Sequence, residues 1–199
     1  RSSRRIEGLV IGQLGAGLQV GPPERGRPIL AVLEESLLPV LELLRRERYA
    51  DALESLERLA MDRELAGEAL LLDAVLLAHV GRPFEAQAVC AQLLERGECQ
   101  AGAHYAVALC CEQVGNFAAA AQEDQAAVRL DPDFALPVLH LGLLSRRSEP
   151  LVSRSYFERA LSLLDRERSS WMLLFGGGFT REGLAQICRG ALEAGGAVA

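Results

Sequence analysis

The residues of this chain that could carry chemistry are two glycine clusters, three histidines and five cysteines. Residues 173–193 read LLFGGGFTREGLAQICRGALE. Glycines ahead of a helix can cradle a phosphate, because backbone N–H groups and the helix dipole both face the anion. The nucleotide-binding version of such a loop is Gly-x4-Gly-Lys-Ser/Thr following a strand. Gly178 and Gly183 have that glycine spacing, but Leu184-Ala185 follow them and no strand pattern precedes. The chain also contains no lysine; all 21 basic residues counted as Lys+Arg are arginine. A turn that serves only the backbone is therefore expected here.

The second cluster, VIGQLGAGLQVG at 10–21, places Gly12, Gly15 and Gly17 close together. A dinucleotide or methyl-donor loop needs a helix directly after its glycines. Pro22-Pro23 and ERGRP follow instead, so residues 1–30 read as a flexible tether whose apolar side chains could pack onto the rest. His79, His104 and His140 lie in three separate segments, none with a carboxylate or thiol at ligand spacing, and no metal site is expected. Cys90, Cys99, Cys110, Cys111 and Cys188 are odd in number and contain no Cys-x-x-Cys, which suits reduced thiols in the cytoplasm. Cys110-Cys111 read as small hydrophobes. No nucleophile–base pair is apparent, so the chain is expected to be non-catalytic and without a cofactor.

The elements that would position these residues repeat. Gly81 and Gly115 are 34 apart, as are Ala52, Ala86 and Ala120 in succession. Within 101–134, small residues fall at positions 8, 20 and 27 (Ala108, Ala120, Ala127), Gly115 and Phe117 at 15 and 17, and Asp131-Pro132 closes the unit. Small side chains let two antiparallel helices approach closely, and proline ends the second helix. Each pair cannot bury its apolar face alone, so neighbours must stack. The pattern resembles the tetratricopeptide repeat. It predicts an all-α, right-handed superhelix of antiparallel helix pairs with a C-terminal capping helix. The expected units are 33–66, 67–100, 101–134 and 135–167, with a degenerate fifth unit or capping helices over 168–195. Pro39 falls early enough to set a first helical turn, and Glu149-Pro150 shortens the turn of the fourth unit. In the fifth, Gly178-Phe179 reads as the turn, Thr180 as an N-cap, and Gly183, Ile187 and Gly190 as packing positions of a helix from about 180 to 193.

Composition supports this. Half the residues are hydrophobic and only 5% aromatic, which favours a core of packed Leu, Ala and Val helices. The net charge of −6 without a basic stripe disfavours nucleic acid. No apolar run is long enough for membrane insertion. Residue 1 is Arg, so the chain is expected to be cut from a longer protein.

First helices of such arrays line a concave face, and their positions give the candidate partner-binding residues: Leu71, Val75 and His79; Tyr105, Leu109, Glu112 and Gln113; Leu139, Leu143, Arg146 and Arg147. Glu34, Leu37, Leu41, Leu44 and Arg45 are the equivalents in the first unit. The floor is apolar, which suits an amphipathic helix or an extended apolar peptide. A tight superhelix or the tether filling the groove is the alternative.

The tail LLFGGGFTREGLAQICRGAL and the run LDPDFALPVLHLGLLSRRS…YFERALSLL together are similar to the C-terminal repeat region of CheR-type chemoreceptor methyltransferases. The resemblance covers 101–192 well and 33–100 only as repeats. It implies a parent protein that transfers methyl groups from S-adenosylmethionine to receptor glutamates. This chain would then bind the chemoreceptor, the methyltransferase domain or another signalling protein. No catalytic residue of that enzyme carries over to this sequence. A freestanding adaptor is the second expectation, and a nucleotide-binding enzyme the third.

Overall fold

The computed structural model describes residues 37–60 and 67–196; the tether, together with Leu33 and Glu34, lies outside the described residues. Every regular element among the described residues is a helix. In chain order these are α1 (Leu38–Arg45), α2 (Tyr49–Ala60), α3 (Gly67–His79), α4 (Pro83–Arg96) and α5 (Gln100–Glu112). They continue with α6 (Phe117–Leu130), α7 (Ala135–Ser145), α8 (Pro150–Leu164), α9 (Ser169–Phe175) and α10 (Arg181–Gly196).

Local chemistry sets the helix ends. Pro39, Pro83 and Pro150 each stand in the first turn of α1, α4 and α8, where a missing N–H costs no helical bond. Asn116 caps α6 by accepting from the Ala119 N–H at 3.0 Å, and Thr180 Oγ1 accepts from the Gly183 N–H at 3.1 Å ahead of α10. Gly81 and Gly115 turn the chain between paired helices at φ 78° and 88°, a region where a side chain is strained.

The small residues then bring each pair together. Ala74 and Ala86 are fully buried between α3 and α4, as are Ala108, Ala120 and Ala127 between α5 and α6. Gly142 lets α7 and α8 approach, since an added Cβ would lie 3.1 Å from the Phe157 ring. Successive pairs stack through α2 on α3, α4 on α5 and α6 on α7, and one apolar core runs through the array.

The last two helices depart from this pattern. α10 packs along α8, the place a following first helix would take, while α9 crosses to reach α1 and α3. Leu184, Ala185 and Cys188 are the buried residues of α10, whereas Gly190 faces open space. The reading of Gly190 as a packing position is thus corrected, because α10 meets α8 rather than a partner within its own pair; Ile187 packs against the core, and Gly183 is half-buried beside Phe179.

What diverts α9 is visible at its start. The buried Glu167 carboxylate accepts the Ala135 N–H at 2.5 Å and the Arg168 N–H at 2.7 Å, which ties the end of α8 to the start of α7. Arg168 pairs with Asp131 at 3.0 Å, and Arg181 donates to the Glu167 carbonyl at 2.7 Å. Trp171 then stacks on Phe134 with ring centres 4.6 Å apart, and Phe175 meets Tyr105 edge-on at 5.0 Å. Each such ring pair is worth about 0.5–1.5 kcal/mol beyond the area it buries.

Candidate functional site

α3, α5 and α7 lie side by side with their Val, Leu and Tyr side chains turned to one face, and α9 crosses part of it. The part left uncovered is a cavity of about 330 Å³. Val75, Ala78 and His79 of α3 line it, followed by Tyr105, Ala106, Leu109, Glu112 and Gln113 around α5. Leu136, Leu139, His140 and Leu143 of α7 complete the floor. Tyr49, Phe175, Gly176, Gly177, Phe179 and Leu184 close its sides.

Of the eleven residues expected on the concave face, the structure brings Val75, His79, Tyr105, Leu109, Glu112, Gln113, Leu139 and Leu143 together in this wall. Leu71 does not join them. It is fully buried under the crossing of α9, near Gly102, where an added Cβ would lie 2.7 Å from Leu71 Cδ2 and 2.8 Å from Trp171 Cη2. Its expected contact with a partner is corrected on that ground, since Trp171 occupies the position. Arg146 and Arg147 lie past the end of α7 and take no part in the wall.

The residues missed at the sequence level are Phe175, Phe179 and Tyr49 on the sides, and a buried polar chain behind the floor. His140 Nδ1 lies 2.7 Å from Asp124 Oδ2, and His140 Nε2 lies 3.3 Å from Glu112 Oε2. Burial alone would push the His140 pKa down, but the two carboxylates outweigh it and hold the imidazolium up to about 10. Burial raises Asp124 to about 6 against the pull of that imidazolium. Linear spacing could not show the cluster, because its members come from α5, α6 and α7. One signal was present: Asp124 stands at position 24 of its repeat, where the pattern calls for a large hydrophobe.

The other histidines are also paired across helices. His104 Nδ1 lies 2.6 Å from Glu123 Oε2. His79 stacks on Tyr49 at 4.0 Å with ring planes 3° apart. Desolvation lowers the His79 pKa, partly offset by Glu47. Gln113 is a wall residue with a structural bond of its own, donating to the Ala78 carbonyl at 3.0 Å. Among the described residues no three His, Cys, Asp or Glu side chains form a metal-binding group. Burial pushes the thiols of Cys110 and Cys111 up to about 12 and about 11, so they sit as hydrophobes.

The glycine cluster ahead of α10 has the geometry of a turn. Gly177 and Gly178 take φ 56° and 78°, and a Cβ on Gly178 would collide with Glu47 Oε1. A carboxylate at that spot repels rather than attracts an anion.

Solved structures similar to this fold include MamA 41-end from Desulfovibrio magneticus RS-1, at 20% identity and a TM-score of 0.53, covering 84% of this chain and 97% of that one. A crystal structure of MamA is 16% identical with a TM-score of 0.52 over 77% of this chain and 90% of its own. A double mutant of MamA RS-1 is 19% identical with a TM-score of 0.52, covering 68% and 80%. No protein-family model and no curated protein matches the chain. At these identities the likeness establishes the fold: an all-α tetratricopeptide-type array. No helix among the described residues is long and apolar enough to cross a membrane.

Proposed function

We propose that this chain is a non-catalytic adaptor that binds a protein segment in the concave cavity between α3, α5, α7 and α9. The observation that carries this reading is the cavity wall itself. Leu109 and Leu143 are apolar, remain only partly buried and line the cavity, while Leu139 between them is buried in the core and shows the cavity one edge. Half-covered apolar side chains in a concave, ring-walled cavity gain from burial by an incoming helix or extended peptide. The repeat units 33–66, 67–100, 101–134 and 135–167 with the terminal segment 168–195 are the division we assign. The buried thiols suit a reducing compartment such as the cytoplasm.

The narrower reading, regulation of a chemoreceptor methyltransferase, draws on the sequence resemblance alone. The likeness to MamA structures supports the scaffold without that enzyme, so the adaptor is the better-supported choice.

A peptide selection against the whole chain tests the proposal. Binders are expected, and their affinity should fall at least about tenfold, or about 1.4 kcal/mol, in Leu109→Trp, which fills the cavity mouth. Circular dichroism would confirm that the variant remains folded. Binders indifferent to Leu109→Trp would refute the concave-face reading.

A further inference from the structure

The cavity carries a charge pattern that selects among protein segments. We infer, resting on the concave-face reading, that the segment it receives is anchored by an arginine side chain, whose guanidinium lies against the cavity's aromatic rings and pairs with Glu112. Three observations combine. Among the described residues no arginine lines the cavity. Glu112 is part of the wall, 14% exposed at its side chain, and the imidazolium of His140 beside it is already matched by Asp124 behind. Two carboxylates against one imidazolium leave this corner with a net negative charge. The rings of Phe175 and Phe179, which also line the cavity, are surfaces against which a planar cation can stack.

An arginine satisfies these demands better than the alternatives. Its stem covers the apolar floor while its weakly hydrated, forked head reaches a carboxylate. A purely aliphatic side chain would desolvate Glu112 without compensating it, and an acidic one would meet repulsion.

The test uses the whole chain and three small probes: N-acetyl-arginine methylamide, the same derivative of citrulline, which is isosteric but neutral, and that of leucine. Binding is followed by backbone NMR shifts at Ala106, Gly176 and Gly177. The arginine probe should give saturable shifts there and bind at least about tenfold more tightly than the citrulline probe, as expected for a charged pair shielded from water. Glu112→Gln should remove that preference. Leucine binding as tightly as arginine would overturn the inference while leaving the concave-face reading intact. Equal binding of arginine and citrulline would overturn it without recourse to any variant. So would the absence of saturable shifts with all three probes, and in that case peptides from the selection that still depend on Leu109 would keep the broader reading standing.

Discussion

Asp124 occupies a place built for hydrocarbon. It is fully buried, and the His140 imidazolium compensates it while also facing Glu112 through its other nitrogen. Asp124→Ala removes the closer of the two carboxylates that hold the buried imidazolium and leaves a void beside it, so it should cost about 3–5 kcal/mol in denaturant unfolding. Replacing both Asp124 and His140 by leucine should cost less than the single change, because the site then becomes what the repeat asks for. The proton balance gives a second expectation. Folded His140 is held up to about 10, whereas unfolded histidine titrates near 6.5. Its contribution is complete below about 6.5 and is lost as pH rises through about 10. Glu112 and Tyr105 of α5 and Asp124 of α6 are the ionisable groups facing it. Cys110, Cys111 and Cys188, pushed to about 12, 11 and 11, shift stability in the same direction. The histidine part is therefore read by difference: melting temperature should fall less between about pH 7 and 9 in His140→Gln than in the unaltered chain. Equal slopes would show that His140 does not hold its proton in the fold.

At the scale of elements, α9 is the segment whose place is least ordinary, and Gly102 is its seat. An added methyl at Gly102 would press on Leu71 and on the Trp171 indole. Gly102→Ala should lose about 1–3 kcal/mol, the usual cost of overpacking. It should also shift the emission of Trp171, the chain's single tryptophan, to longer wavelength. A stable variant with unchanged emission would mean that α9 is not held by this contact. Helix pairs, turn glycines and the buried alanines were legible in the sequence because each follows from a local rule recurring every 34 residues. The crossing of α9 was not. Trp171-x2-Leu174 reads like the start of any repeat, and its diversion depends on Glu167 bonding to Ala135, a contact with no sequence period. The same limit hid the Asp124–His140–Glu112 cluster, whereas eight concave-wall residues were found because their positions within first helices repeat.

At the scale of the whole molecule, two surfaces compete for a partner. One is the concave cavity. The other is a row of exposed apolar residues, Phe84, Phe117 and Leu151, 67%, 52% and 85% exposed, at the starts of α4, α6 and α8 and spaced 33 and 34 apart. The cavity is concave, ring-walled and charged in one corner, features that orient a ligand, while the row offers only area. The most direct measurement is an NMR map of a selected peptide titrated into the whole chain. Binding in the cavity predicts that shifts gather at Ala106, Leu109, Leu143, Gly176 and Gly177. Shifts gathered instead at Phe84, Phe117 and Leu151, with the cavity residues unmoved, would contradict it.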